Sequence, residues 1–174
     1  MMKQSLVLMS LLASTSVVNA QDPATIPIDQ EAPVVQMKEI TINAEPDVIW
    51  DVLTNIEEWS NWNEKIKHPT INEEAGIGVS FTWKTNGSKI RSQIHTFDSN
   101  KTLGWTGKTF GAKAIHNWYL EPTNNGTKVI VKESMGGWLV RLFKRKVTNT
   151  IEEDMAWWLE QLKIESEKQI QYEN

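Results

Sequence analysis

The last third of the chain contains a long amphipathic stretch that the rest of the protein has to cover. It runs from about Gly137 to Tyr172 and contains no proline. Apolar residues recur along it at steps of three or four, which places side chains on one face of a helix. They are Val140, Phe143, Val147, Ile151, Met155, Trp158 and Leu162. At a rise of ~1.5 Å per residue a continuous helix would cross a whole domain, so the remaining chain must supply a matching apolar surface.

The two halves of this predicted helix differ in sequence. Gly136 and Gly137 loosen its start, and the run from Val147 to Ile151 consists of weak helix formers. We therefore expect the half from Ile151 to Leu162 to be fixed over the sheet. The half from Trp138 to Lys146 is expected to be more mobile and to border an entrance.

Upstream of this stretch apolar and polar residues alternate, which is typical of strands with one buried face. The sequence predicts a first strand from Val34 to Asn43, then two short helices, then further strands. Asn86-Gly87 is the strongest hairpin signal in the chain, and its two-residue turn places Trp83 opposite Ile90. The sequence therefore predicts an α+β fold. A curved antiparallel sheet of six to seven strands wraps around the long C-terminal helix, with two short helices between strands 1 and 2.

The first twenty residues have the composition of a secretory signal peptide. Lys3 supplies a positive charge, an apolar run continues to Val18, and Ala20 is a small residue suited to cleavage. The run is too short to span a membrane. The sequence therefore predicts a signal peptide over residues 1–20 that is cleaved near Ala20, and a periplasmic or secreted protein. A proline-containing linker is expected over residues 21–33, followed by one domain over residues 34–172.

Charge and composition exclude several classes of function. A formal net charge of −4 leaves no surplus of basic residues to neutralise phosphates, so we expect no nucleic-acid partner. The chain has no cysteine, which excludes disulfides, thiolate metal sites and cysteine nucleophiles. The three histidines are widely spaced and there is no glycine-rich phosphate loop, so the sequence predicts neither a metal site nor a cofactor.

Three motifs give the chain a resemblance to a known family. They are Ala44-x-Pro46-x-x-x-Trp50-x-x-Leu53, Trp59-x-x-Trp62-Asn63, and Gly126-Thr127 followed by Glu133. Together with the order of elements, they make residues 34–172 resemble the polyketide cyclase/dehydrase and lipid-transport family of the START and birch-pollen-allergen (SRPBCC) superfamily. The resemblance implies the helix-grip fold, with a hydrophobic cavity between sheet and helix. Most members are ligand binders, carriers or uncharacterised proteins and a minority are enzymes, and no shared catalytic residues can be carried over.

The main polar feature of the predicted inner face is the pair His116 and Glu133. The register of the last hairpin places them opposite each other among apolar neighbours. A buried histidine and carboxylate have linked titrations, as an acid/base pair requires, but each can also simply satisfy the other. Three interpretations follow: a structural contact, a polar contact that orients a ligand, and a catalytic pair.

Large flat rings and adaptable methionines on the inner face suit a pocket for an apolar small molecule or lipid. The predicted ligand-binding residues are Phe81, Trp83, Ile94, Trp105, His116, Trp118, Glu133, Ile151, Met155 and Trp158. The apolar members of this set would also serve as plain core. The tryptophans of the short helices, Trp50, Trp59 and Trp62, are expected to pack at the end of the sheet rather than to contact a ligand.

Three functions are compatible with these patterns. The first is an exported binding protein for a hydrophobic small molecule or lipid. The second is a small-molecule enzyme of cyclase, hydrolase or isomerase type that uses His116 and Glu133. The third is a membrane-surface accessory protein, because a basic cluster lies beside apolar residues at the start of the long helix. That cluster, which would otherwise be a solvated charged face, consists of Arg141, Lys144, Arg145 and Lys146.

Overall fold

The computed structural model describes residues 25–173, with side chains up to Gln169. The predicted signal peptide lies outside the described residues. No helix in this part of the chain is long and apolar enough to cross a membrane. In chain order the elements are β1 (Val34–Ile42), α1 (Pro46–Thr54), a 3-10 turn (Ile56–Glu58), α2 (Trp59–Trp62), β2 (Lys67–Ile71), β3 (Ser80–Thr85), β4 (Ser88–Asp98), β5 (Thr102–Thr109), β6 (Ala112–Thr123), β7 (Gly126–Gly136), α3 (Trp138–Leu142) and α4 (Lys144–Glu173).

The seven strands form one antiparallel sheet in the order β1-β7-β6-β5-β4-β3-β2. From β2 to β7 each strand pairs with the next one along the chain, and β1 joins the sheet beside β7. The sheet curves around α4, which contacts β1 and also α1. The predicted α+β architecture is therefore confirmed, including the two short helices between the first and second strands.

The predicted registers of two hairpins are confirmed. Trp83 pairs with Ile90 across the Asn86-Gly87 turn, whose two residues both have positive φ. His116 pairs with Glu133 across β6 and β7. Because strand side chains alternate between faces, these registers determine which residues face the helix.

The sequence pattern does not locate β2, which is the edge strand next to β3. Pro69 lies inside it, and His68 has a φ of 50°. The pairing with β3 is irregular between Lys67 and Thr70. Proline cannot donate a ladder hydrogen bond and is confined to edge strands or irregular positions, so the strand lacks the usual alternating signature.

A β-bulge in β4 changes the face of the residues that follow it. The register shifts between Ile94 and Thr96, which leaves His95 as an extra residue. Alternation alone predicts Thr96 on the inner face, and this is wrong. Phe97 is turned inward instead, where its ring centroid lies 4.9 Å from that of Trp50.

Residues 25–33 pack on the outer face of the sheet instead of forming a free linker. The Nδ2 group of Asn117 donates a hydrogen bond of 2.8 Å to the carbonyl oxygen of Ile26. The backbone N–H of Asp29 donates one of 2.9 Å to the hydroxyl of Ser134. These contacts bury Asn117 on a face that alternation predicts to be polar and solvated. The folded domain therefore includes this segment.

His95 lies on the same outer face and covers Gly104 together with Asn117, so a Cβ atom at Gly104 would collide with both side chains. Its Nδ1 atom lies 2.8 Å from the hydroxyl of Thr96. Burial lowers the pKa of His95, and a hydrogen bond with the backbone of Trp105 acts in the opposite direction. Because the folded-state pKa is the lower one, His95 makes the fold less stable as the pH drops through the unfolded-state pKa.

The C-terminal helix is kinked, whereas the sequence predicts one continuous stripe. Phe143, with φ −114° and ψ 31°, separates α3 from α4. Helical hydrogen bonds still span the junction, from Phe143 N–H to Leu139 O at 2.9 Å and from Val147 N–H to Phe143 O at 3.0 Å. The backbone of Leu139 also donates to Gly111 in the turn between β5 and β6, at 3.2 Å. The kink thus lets α3 follow this turn while α4 follows the sheet.

Two glycines allow α3 to approach the β5–β6 turn closely. Gly137 has a φ of 122°, and a Cβ atom there would collide with the carbonyl oxygen of Gly111. Gly111 has a φ of 70°, and a Cβ atom there would lie 2.6 Å from the Leu139 side chain. Side chains at either position would push the helix and the turn apart.

Burial distinguishes the two halves of the predicted helix. Every residue from Arg141 to Lys146 is exposed, whereas Met155, Trp158 and Leu162 are buried. This contrast follows the division predicted from the sequence. The greater mobility of the first half stays a prediction.

Candidate ligand cavity

An apolar cavity lies between the inner face of the sheet and the helices α3 and α4. Its volume is about 730 Å³, which is within the range of small-molecule sites. Strands β3 to β7 and both helices contribute apolar residues to its lining: Trp83, Ile90, Trp105, Ala114, Met135, Val140, Val147, Ile151, Met155 and Trp158. The start of the long amphipathic stretch therefore forms one wall of the cavity.

Trp59 of α2 fills the space behind the lining aromatic residues. Its ring centroid lies 5.3 Å from that of Trp158, 5.6 Å from Trp105 and 5.5 Å from Phe81. The ring is fully buried, and its Nε1–H donates to the carbonyl oxygen of Leu53 at 3.0 Å. Trp59 does not line the cavity. Trp59 therefore closes the inner end of the cavity from the centre of the core, whereas the sequence predicts that it packs at the end of the sheet.

His116 and Glu133 form a buried hydrogen bond in the cavity wall. Nδ1 of His116 lies 2.9 Å from Oε2 of Glu133, and the two side chains are 7% and 10% exposed. In the neutral tautomer of His116 that donates from Nδ1 to this carboxylate, Nε2 keeps a lone pair. The imidazole stacks on Trp105 with ring centroids 4.6 Å apart and planes within 10°. The hydrogen bond and the stack together hold the ring in one orientation.

Three buried ring nitrogens near this pair have no hydrogen-bond partner among the described residues. They are His116 Nε2, Trp118 Nε1 and Trp158 Nε1. The ring centroid of His116 lies 5.4 Å from that of Trp118 and 5.7 Å from that of Trp158. An unpaired buried polar atom costs free energy. The side chains of His116 and Trp158 line the cavity through other atoms, since these nitrogens are themselves buried.

Polar contacts close one side of the cavity opening. Asp154 on α4 accepts hydrogen bonds from Lys65 at 2.9 Å and from Asn86 at 2.6 Å. The Lys65 ammonium also lies 5.3 Å from the centroid of the Trp157 ring. These contacts tie the helix to the turn between β3 and β4. Within residues 25–173, no group of three or more His, Asp or Glu side chains is placed to hold a metal ion.

Seven of the ten predicted ligand-binding residues line the cavity. They are Trp83, Trp105, His116, Glu133, Ile151, Met155 and Trp158. The other three, Phe81, Ile94 and Trp118, are at most 1% exposed and lie in the core beside the cavity. Their position does not support the expectation that they contact a ligand, because side chains fill the space around them.

Sequence reasoning misses several residues that line the cavity. Ile90, Ala114 and Met135 share the predicted inner face, so the register contains the signal for them. Their smaller side chains do not stand out in the sequence beside the large aromatic rings of the same face. Leu139 and Trp157 also line the cavity. The position of Leu139 depends on the helix kink, which no periodic pattern specifies.

Residues 35–167 match the family described as polyketide cyclase/dehydrase and lipid transport. The chain belongs to this family. The resemblance inferred from the three motifs is thereby confirmed, and proteins of the superfamily commonly bind hydrophobic ligands. A comparison with curated proteins finds no significant match.

Solved structures share the fold at low sequence identity. The protein jhp0584 from Helicobacter pylori is 15% identical with a TM-score of 0.67, covering 93% of this chain and 99% of that protein. A START superfamily protein from Mycobacterium smegmatis is 13% identical with a TM-score of 0.67, covering 77% and 97%. Ara h 8.0201 is 15% identical with a TM-score of 0.64, covering 76% and 96%. At such identities the likeness shows the fold alone.

We expect a double-mutant cycle to show that His116 and Glu133 stabilise each other. His116→Phe or Glu133→Leu alone leaves a buried polar partner without its hydrogen bond and should cost about 2 kcal/mol. The double variant should cost less than the sum, with a coupling free energy of about 1–2 kcal/mol. Urea unfolding of the four proteins measures this quantity. A coupling within error of zero would contradict a stabilising contact.

Proposed function

We propose that the protein binds an apolar small molecule or a lipid in the cavity between the sheet and the helices α3 and α4. The observation that carries the proposal is a cavity of about 730 Å³ with a mainly apolar lining. Packed protein interiors contain few voids larger than a water molecule, so a space of this size is not needed for stability. Membership of a superfamily that commonly binds hydrophobic ligands supports the proposal.

The lining favours a ligand with an apolar body and one polar group. Trp83 and Trp105 offer flat apolar surfaces, and Met155 can adapt its shape to a bound molecule. The hydrogen-bonded pair of His116 and Glu133 adds polar groups to the cavity wall, next to which a ligand hydroxyl could bind. We therefore infer that a hydroxyl-bearing ligand would bind more tightly than its deoxy analogue.

A cavity-filling variant tests ligand binding. We expect Ile151→Trp to weaken the binding of Nile red, a neutral apolar dye, by about tenfold or more, because the new ring occupies the cavity. Fluorescence titration gives the dissociation constant, and native mass spectrometry of the purified protein reveals any ligand already bound.

Ile164→Trp is the matched control, since Ile164 lies on the same helix, is 52% exposed and does not line the cavity. This variant should bind the dye as the unaltered protein does. The proposal fails if the unaltered protein shows no saturable binding, or if Ile151→Trp leaves the affinity unchanged.

A second candidate function is a small-molecule enzyme of cyclase, hydrolase or isomerase type. The observation that favours it is the fixed orientation of His116, whose Nδ1 lies 2.9 Å from Oε2 of Glu133 in the cavity wall, an arrangement that suits acid/base chemistry. For a molecule identified in the cavity, chemical conversion would separate the two functions. An enzyme should lose far more turnover in His116→Gln than the change in ligand affinity or melting temperature explains, whereas a binding protein converts nothing.

A membrane-surface role would add to ligand binding instead of competing with it. Arg141, Lys144 and Arg145 are exposed and do not line the cavity, and only Lys146 of the basic cluster reaches its edge. The absence of a nucleic-acid partner stays a prediction from the net charge.

We also propose that the protein is exported to the periplasm or secreted. Lys3, the apolar run and Ala20 support this proposal. When the full chain is expressed in a bacterial host, N-terminal sequencing of the periplasmic fraction should begin at Gln21. A variant lacking residues 2–20 should stay in the cytoplasm. Recovery of the intact chain from the cytoplasm alone would contradict export.

A further inference from the structure

Apolar and basic side chains are concentrated around the cavity opening, on an exposed area that we call the mouth surface. Its apolar members are Phe110, Trp138, Leu142 and Phe143, which are 80%, 57%, 65% and 51% exposed. Its basic members are Arg141, Lys144, Arg145 and Lys146, all of them exposed. Half of the eight large apolar side chains that are exposed in the described part of the chain lie here. A concentration of this kind marks an interaction site.

Part of the mouth surface borders the cavity directly. Phe110 at the β5–β6 turn contacts Trp138 of α3 edge to face, with ring centroids 5.7 Å apart. Phe110, Phe143 and Lys146 also line the cavity. The hairpin turn and the junction of α3 and α4 therefore present their apolar side chains next to the opening itself.

The charge of the mouth surface is uncompensated. None of its four basic side chains forms an ion pair with a carboxylate among the described residues. Residues Lys144 to Lys146 occupy the first turn of α4, where the helix dipole disfavours positive charge. Lys108 and Lys113 add two further ammonium groups at the cavity edge. This accumulation contrasts with the net charge of −4 of the whole chain.

We propose that the mouth surface docks on an anionic phospholipid bilayer, with the cavity opening turned toward the lipid. Aromatic side chains favour the interfacial zone of a bilayer, and basic side chains attract anionic head groups. A soluble acidic partner would neutralise the basic residues but offer no apolar phase to Phe110, Trp138 and Leu142. A bilayer supplies both.

Docking in this orientation would let an apolar ligand pass between bilayer and cavity without crossing water. The apolar wall supports this path, because Leu139, Val140 and Phe143 line the cavity beside the opening. Ligand transfer at the mouth surface rests on the proposed function, whereas docking on the bilayer does not.

Flotation of the purified protein with vesicles tests the docking. Vesicles of equal parts phosphatidylglycerol and phosphatidylcholine should carry the protein to the top of a density gradient, and pure phosphatidylcholine vesicles should not. Replacing Arg141, Lys144 and Arg145 together by Gln should weaken the partitioning about a hundredfold, since each basic residue near an anionic surface contributes about a factor of five. Trp138→Ser should weaken it further.

The matched control replaces Lys84, Lys89 and Arg91 by Gln, which removes the same charge from other exposed positions. This variant should float as the unaltered protein does. Equal flotation of the two triple variants, or equal flotation with both kinds of vesicle, would overturn the proposal. The proposal would also be overturned if the unaltered protein did not float but formed a dimer that the first triple variant dissociates. The surface would then bind a second copy of the chain.

Dye binding without vesicles separates this proposal from the proposed function. Arg141, Lys144 and Arg145 do not line the cavity, so the first triple variant should bind Nile red normally. Saturable dye binding by the unaltered protein without flotation would overturn the docking and leave the proposed function in place. Flotation without saturable dye binding would overturn the proposed function and leave the docking in place.

Discussion

The packing of Trp158 on the aromatic rings of the core determines which part of the interface between the sheet and α4 is filled and which part is left as a cavity. The Trp158 ring centroid lies 5.3 Å from that of Trp59, 5.5 Å from Trp83 and 6.1 Å from Trp105. These rings bury large apolar areas and hold α4 on the sheet at one level. Toward α3 the residues of α4 that face the sheet, such as Ile151, are aliphatic and do not fill the gap. The cavity is therefore the part of the interface that this aromatic contact leaves open.

The polar pair gains its importance from this aromatic surrounding. His116 and Glu133 sit where little water can compete, so their hydrogen bond is strengthened and any unpaired atom beside it is costly. The contact that satisfies Nδ1 of His116 also leaves Nε2 without a partner among the described residues. The ligand-orienting role that we propose would thus follow from the same arrangement as the structural one.

Most of the fold could be predicted because its determinants are local. The Asn86-Gly87 turn sets a register, and from the register follows the face on which every nearby side chain lies. The register does not show how far the filled core extends along that face. Phe81 and Trp118 share the inner face with cavity residues, yet they lie in the filled part of the core, and its extent depends on where Trp59 is inserted. Neither that insertion nor the bulge and the helix kink leaves a periodic trace in the sequence.

The pairing of β1 with β7 has a consequence for the order of folding. Val34 pairs with Met135 although about a hundred residues separate them, and residues 25–33 then pack against Ser134 and Asn117 on the outer face. The entropy of closing so long a loop delays such contacts relative to the hairpins from β3 to β7. The first strand to leave the ribosome is therefore among the last to join the sheet, and it has no ladder partner until the seventh strand has been synthesised.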